Sequence, residues 1–430
     1  MEVEGYKIEN LKYSLFLKRR FLPIFLTIFL GSFNDNLLRS GLVVLIAYAA
    51  HKGIVLPASP EIMVTICSAL LVIPLLLFSC TAGLLADKYE KSRLAVYTKI
   101  AEVGIMIGAC IGFATNNIYL LMAMLFVSGT HSTFCAPMKF SILPENLRPG
   151  ELVAANGFMA GGTYIAMLTG LIAGGFLIEA PDNAIGITAI SIAVIGLIAS
   201  LCIPNSHISH PGAQVTWNIW RSTVDIVRYA MADRTMRGTI ISLSWFMLVG
   251  SIYMTQFSNY AQGVVHANNE VYILFLTVFS IGTAIGSVMC DTLLKGQVSA
   301  RLTPHAAAGI ALFTALMVAT TPAPAHEGLI GVGEFLSNAA HWPVLISMLM
   351  VAVCGGIYIV PLYSMLQSGE HAHYRSRVIA ASGLSDAIFM TLGAVLSAAL
   401  LVLGFTISDL FLLIALLTIG VIWYAKRIFA

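Results

Sequence analysis

The sequence predicts an all-α membrane protein whose twelve transmembrane helices form two six-helix bundles. Three observations carry this. The 430-residue chain is 58% hydrophobic and only 10% charged, with a mean hydropathy of +0.88, whereas a soluble domain has about 25% charged residues. Its apolar runs are long enough to cross a bilayer, which takes about 20 helical residues. Its lysines and arginines also segregate. Assigned to alternate connections, twenty fall on one side, Lys52 alone falls on the other, and Arg39 and Lys99 lie within spans. That asymmetry places both termini in the cytoplasm and requires an even number of spans.

In chain order the spans are expected at roughly 21–49, 61–86, 94–115, 117–138, 152–178, 184–203, 238–262, 270–294, 302–320, 342–365, 378–403 and 405–425. Glycine and proline interrupt several of them, which membrane helices tolerate. The first twenty residues are polar and mixed in charge, without a short apolar core and small-residue cleavage site. The first apolar run is therefore expected to be retained as a span. The domains are read as an N-terminal bundle over 1–203, a cytoplasmic linker over 204–237 and a C-terminal bundle over 238–430.

The first span, Phe21 to Tyr48, carries Phe33-Asn34-Asp35-Asn36-Leu37-Leu38-Arg39. Asp35 stands about fourteen residues from either end, close to the bilayer midplane. A charge there costs about 2.5–3.5 kcal/mol on insertion scales. A pathway or binding role would account for it; so would local neutralisation by Arg39, an i,i+4 neighbour on one helix face.

Span two ends in Gly83-Leu84-Leu85-Ala86-Asp87-Lys88-Tyr89-Glu90-Lys91-Ser92-Arg93. This resembles the signature loop of the major facilitator superfamily, G-x-L-A-D followed by basic residues. Gly83 would allow close helix approach. Asp87 would latch one conformation by accepting hydrogen bonds from a neighbouring helix end or a basic side chain, and Arg93 belongs to the same candidate latch. Span three carries Lys99 and Glu102 at i,i+3, a spacing that lets them pair with each other. Span four carries His131, readable as a ligand or as a hydrogen-bonded structural residue, and Lys139 at its cytoplasmic end. Lys139 could snorkel to the headgroups or meet an anionic phosphate.

The linker contains Trp217, Trp220, Val224 and Val227 at i, i+3, i+7, i+10, with Arg221, Asp225 and Arg228 on other faces. That pattern predicts an amphipathic helix on the cytoplasmic membrane surface. In the second half, Tyr253, Gln256 and Asn259 share a face of span seven, and Asp386 lies about three turns into span eleven.

An internal repeat supports the architecture. Gly129, Pro137 and Val153-Ala154-Ala155-Asn156-Gly157-Phe158 recur as Gly355, Pro361 and Ile379-Ala380-Ala381-Ser382-Gly383-Leu384. Span four thus matches span ten, and span five matches span eleven, at an offset of 226 residues (224 for the proline). Both halves start on the same side, so the repeats are parallel. Two parallel six-span repeats describe the major facilitator architecture.

No catalytic constellation stands out. There is no H-E-x-x-H, no phosphate-binding loop and no C-x-x-C among seven scattered cysteines. No enzyme activity, cofactor, metal or nucleic-acid partner is expected.

A narrower resemblance lies in Gly129-Thr130-His131-Ser132-Thr133-Phe134-Cys135-Ala136-Pro137-Met138-Lys139-Phe140-Ser141-Ile142-Leu143-Pro144 and Glu151-Leu152-Val153-Ala154-Ala155-Asn156-Gly157. Gly162-Thr163, Gly174-Gly175 and Phe33-Asn34-Asp35-Asn36 extend it, as do Val360-Pro361-Leu362-Tyr363, Gln367 and Arg375-Ser376-Arg377-Val378-Ile379-Ala380-Ala381. Together they resemble the bacterial lysophospholipid transporter family over nearly the whole chain. The resemblance implies a monomeric flippase of the bacterial inner membrane, moving lysolipids such as lysophosphatidylethanolamine for reacylation by a separate acyltransferase. It implies a substrate path lined by Asp35, Asn36, Arg39, Glu102, Lys139 and Asp386. Asp35 would meet an ethanolamine ammonium or hold Arg39 ready for the phosphate, and Lys139 would meet the phosphate. The chain departs from the family pattern at Ala160, where a glutamate is usual, and at Ser382 and Asp386, where asparagines are usual. This fits a different headgroup or a charge relocated within one cavity. Two other readings are a proton-coupled exporter of another amphiphile, with Asp35, Glu102 and Asp386 as proton carriers, and a membrane anchor for an acyltransferase.

Overall fold

The structure, a computed structural model, describes residues 14–47, 56–178, 180–181, 183–205, 219–322, 328–368 and 375–429. Lys7, Lys12, Lys52 and Trp217 lie outside the described residues, as do the side chains of Trp220 and Arg221. Twelve long helices follow one another: α1 Leu22–Ala47, α2 Pro60–Lys88, α3 Lys91–Ala114, α4 Ile118–Asn146, α5 Leu152–Leu177, α6 Ala184–Leu201, α7 Arg234–Gly263, α8 Asn269–Leu294, α9 Thr303–Ala319, α10 Trp342–Gln367, α11 Arg375–Val402 and α12 Ile407–Phe429. A linker helix, Ile219–Ala232, precedes α7, and a six-residue helix, Val332–Ser337, precedes α10. The described residues form no strand, only an isolated bridge between Ala267 and Ile330.

Eleven of the described helices are long and apolar enough to cross a membrane. The remaining long helix, α1, has 26 residues and so the length to cross. Its apolar run is broken by Asn34, Asp35, Asn36 and Arg39. Several helices outrun the predicted spans. α4 continues through Pro137 and Pro144 to Asn146, because apolarity marks only the hydrocarbon crossing, whereas the backbone ladder runs on past Lys139. There Lys91, at the start of α3, pairs with Glu145 at 2.5 Å.

Packing divides the protein into two compact units. The first takes in α1 to α4, α6, the linker helix, α5 from Ile165 onward, and the start of α11 through Leu384. The second takes in α7 to α10, α12, α11 from Ser385 onward, and the α5 stretch Asn156–Tyr164. Grouping by contact therefore departs from chain order at α5 and α11, the helices that carry the repeated Ala-Ala-x-Gly segments.

The repeat is also a repeat of packing. Within the first unit α3 packs on α6, and α1 on α6 and α2; within the second α9 packs on α12, and α7 on α12 and α8. Gly157 of α5 and Gly383 of α11 occupy matching places. A methyl group on Gly157 would stand 2.5 Å from the Ser287 carbonyl oxygen of α8, and one on Gly383 would stand 3.2 Å from Ser79 Oγ of α2. The first unit's core is aliphatic, with Leu37, Leu42, Leu45 and Ile185 around Phe113. The second is aromatic around Tyr253, Phe257, Phe279 and Phe411, with ring centroids 5.1–6.1 Å apart. Tyr253 is 1% exposed and hydrogen-bonded to the Thr314 hydroxyl, so this member of the expected polar face of span seven belongs to the core. On the linker helix Ile226 and Ala230 are buried, while Val224 and Tyr229 are exposed.

Candidate functional site

Three consecutive polar residues of α1 point three ways, because successive residues of an α-helix are rotated by about 100°. Asn34 is fully buried, and its Nδ2 donates to Glu102 Oε1 of α3 and to the Ala189 carbonyl of α6, both at 3.1 Å. Asp35 faces α4, where Ser128 Oγ donates to Oδ1 at 2.6 Å and Ser132 Oγ to Oδ2 at 2.5 Å. Asn36 turns back on its own helix, donating to the Ser32 carbonyl at 2.8 Å. The side chain of Arg39 lies on the exposed face of α1.

Asp35 opens onto a cavity of about 110 Å³ between α1, α3 and α4. Its wall includes Thr27, Ser32, Thr98, Lys99, Glu102, His131, Ser132, Cys135 and Lys139. This exceeds the 10–15 Å³ or so that one water requires. Lys99 Nζ and Glu102 Oε2 form an ion pair at 2.6 Å, with side chains 4% and 1% exposed. His131 Nε2 donates to the Thr98 carbonyl at 2.9 Å and lies 3.4 Å from Cys135 Sγ. His131 Nδ1 is buried without a hydrogen-bond partner among the described residues. Lys139 lies over the Phe140 ring, 4.8 Å from its centroid, and no described residue hydrogen-bonds or ion-pairs with its ammonium. Asp35 is therefore held by hydroxyls and Glu102 by Lys99, while the Lys139 cation is uncommitted.

Of the six expected path residues, the cavity gathers Asp35, Glu102 and Lys139. Asn36 and Arg39 are not part of its wall, and Asp386 stands in the second unit. There Ser244 Oγ of α7 donates to Asp386 Oδ1 at 2.8 Å. Sequence reasoning passed over Ser128, Ser132 and Thr98. The signal for the serines lay in α4, where 128 and 132 form one i,i+4 stripe and 131, 135 and 139 form another.

Of the three expected latch residues, Gly83 and Asp87 meet the start of α11 and Arg93 does not. Asp87 is fully buried near the end of α2. Its Oδ1 accepts from the Ser376 backbone N–H at 3.2 Å, and its Oδ2 lies 3.4 Å from Arg377 Nε. A carboxylate at the first turn of α11 is favoured by the orphan N–H groups and the helix dipole. Gly83 makes this approach possible, since a methyl group there would stand 2.5 Å from Ala380 Cβ. Ser79 Oγ adds a bond to the Ala380 carbonyl at 2.7 Å. Arg93 is placed elsewhere. Its side chain is 77% exposed and pairs with Glu90 at 2.7 Å, so Arg377 is the cation that meets Asp87.

A sequence profile of the Major Facilitator Superfamily matches residues 24–385. The chain belongs to this superfamily. Among its relatives, the lysophospholipid transporter LplT of Enterobacter sp. (strain 638) is 27% identical over 376 residues, covering 85% of this chain and 84% of that protein. LplT of Klebsiella pneumoniae (strain 342) is 28% identical over 377 residues, with the same coverage. Among solved structures, the human organic anion transporter MFSD10 (TETRAN) superposes with a TM-score of 0.70 at 13% identity, covering 95% of this chain and 99% of that one. A point variant of the E. coli fucose:proton symporter FucP superposes with a TM-score of 0.68 at 12% identity, covering 95% and 98%. This major facilitator protein is a multi-pass membrane transporter. Its Asp87 meets the start of α11 from within the stretch that resembles the superfamily's signature loop, and its α1–α3–α4 cavity is the candidate place for a polar cargo group.

Proposed function

We propose that this transporter moves lysophospholipid across the bacterial inner membrane, as a monomer with both termini in the cytoplasm. The lysolipid would then be reacylated by a separate acyltransferase. The uncommitted Lys139 ammonium carries the reading. Charges in a membrane interior are normally paired; Lys99 and Glu102 pair with each other, whereas no described residue hydrogen-bonds or ion-pairs with the Lys139 ammonium. A lysolipid phosphate would supply the missing anion. The cavity has room for a headgroup fragment but not for an acyl chain, which would stay in the lipid. Asp35 holds α1 against α4 and sets the negative wall opposite the cation. The names of the relatives point to the same cargo. During transport the Asp87 contact with α11 would break and re-form.

The test is reconstitution into vesicles with a fluorescent lysophosphatidylethanolamine. The wild type should exchange it between leaflets faster than protein-free vesicles. Lys139→Ala should slow exchange about tenfold, as expected for losing a hydrogen bond to a charged group. Exchange no faster than in protein-free vesicles would sink the proposal. Transport that collapses with a proton ionophore and ignores lysolipid would instead favour proton-coupled export of another amphiphile.

A further inference from the structure

Just before α1 the chain carries Lys18-Arg19-Arg20, and the fold holds this triplet in place. The Lys18 carbonyl accepts from the Phe21 and Leu22 N–H groups at 3.0 and 3.1 Å. Phe21 is fully buried and packs edge-on against Phe16, with ring centroids 5.6 Å apart. Lys18 Nζ and Arg20 Nη2 share one acceptor, Glu151 Oε1, at 3.1 and 2.5 Å. Arg19 is exposed, and no described residue ion-pairs or hydrogen-bonds with its guanidinium. Three cations thus meet one carboxylate, which leaves an excess of positive charge.

The triplet lines a cavity of about 690 Å³ in the first unit, whose remaining wall is Leu201 at the end of α6 and Ile203, Pro204 and Asn205 beyond it. That volume is in the range of small-molecule sites, about 300–1,000 Å³. Its wall is cationic on the α1 side and mostly apolar on the α6 side. Leu17, next to Lys18, is 87% exposed. Leu201 is also exposed and continues an exposed apolar stripe of α6, with Ile187, Val194 and Ile198 at i, i+7 and i+11 before it at i+14. Exposed leucines beside a basic cluster suit an amphiphile rather than a soluble anion. Its phosphate would meet the guanidinium groups, and its chains would run along the α6 stripe. The excess charge favours a headgroup of net negative charge, such as phosphoglycerol, over zwitterionic phosphoethanolamine. We propose that Lys18, Arg19, Arg20 and Asn205 form a site for the headgroup of an anionic diacyl phospholipid of the surrounding leaflet. On the orientation proposed above, that leaflet is the cytoplasmic one. The site is separate from the α1–α3–α4 cavity and does not depend on what the cargo is.

The experiment titrates the purified full-length transporter in detergent with phosphatidylglycerol or phosphatidylethanolamine and counts bound lipid by native mass spectrometry. The wild type should take up phosphatidylglycerol at a concentration at least about fivefold lower than phosphatidylethanolamine. Glycerol 3-phosphate, which carries the phosphate without chains, should fail to displace it. These two arms need no variant to fold. Arg19→Gln should weaken phosphatidylglycerol binding about fivefold, whereas Arg301→Gln, which removes an exposed arginine of the second unit, should leave it unchanged. Equal uptake of the two lipids would overturn the site. Equal losses in the two variants would overturn it in favour of diffuse surface charge. Displacement by glycerol 3-phosphate would overturn it in favour of a soluble anion. None of these readouts involves lysolipid exchange, so failure here leaves the transport reading standing, and failure of that reading leaves this site standing.

Discussion

Lys99 and Glu102 meet at 2.6 Å with almost no exposure, so each is the other's counter-charge. Breaking such a pair leaves an uncompensated buried charge, while replacing both members with apolar residues is often tolerated. Glu102→Gln should therefore lower stability by about 3 kcal/mol, read as an earlier thermal melt in detergent. The double variant Lys99→Met, Glu102→Leu should recover most of the loss. A double variant that melts no later than the single one would show that the pair matters beyond its charge. At this scale the sequence was partly legible. The i,i+3 spacing of Lys99 and Glu102 allowed the pair, and the Asn-Asp-Asn run marked α1 as unusual. Which neighbour each of the three would meet was not legible. The partners of Asp35 lie 93 and 97 residues away on another helix, and rotation about the helix axis decides the match.

The α2–α11 contact is the element-scale counterpart. Gly83 removes the steric barrier, Ser79 ties to the Ala380 carbonyl at 2.7 Å, and Asp87 caps the first turn of α11. Gly83→Leu would drive a side chain into Ala380 and the backbone of Arg377, and Asp87→Asn would remove the charge that favours the helix N-terminus. Cys80 lies on the same stretch of α2 and is 2% exposed. In a variant keeping Cys80 as its only cysteine, either substitution should raise its labelling by a membrane-permeant maleimide several-fold. Unchanged labelling would mean that the contact does not depend on Gly83 or Asp87. The signature loop showed in the sequence that Asp87 would meet a helix end or a base. That the helix is α11, 289 residues away, and the base Arg377 rather than Arg93, came from packing.

For the whole molecule, the distribution of lysine and arginine predicts orientation. A green fluorescent protein fused after Ala430 should fluoresce in bacterial cells, and an alkaline phosphatase fused there should be inactive. The opposite pair of results would reverse the proposed topology. The spans, their parity and the parallel repeat were all readable from the sequence, because hydropathy, charge placement and repeated Gly and Pro landmarks are local properties of the chain. Helix packing then reproduced the repeat, with α1–α2, α1–α6 and α3–α6 recurring as α7–α8, α7–α12 and α9–α12. The tertiary structure alone decided which polar residues share a space. It gathered Asp35, Glu102, His131 and Lys139 around one cavity, grouped the start of α11 with the first unit and a stretch of α5 with the second, and left Arg39 on an exposed face. The physical reason is that bilayer insertion depends on composition summed along a segment. The partner of a buried polar group depends instead on how helices distant in sequence are rotated and pressed together, which no local window of residues records.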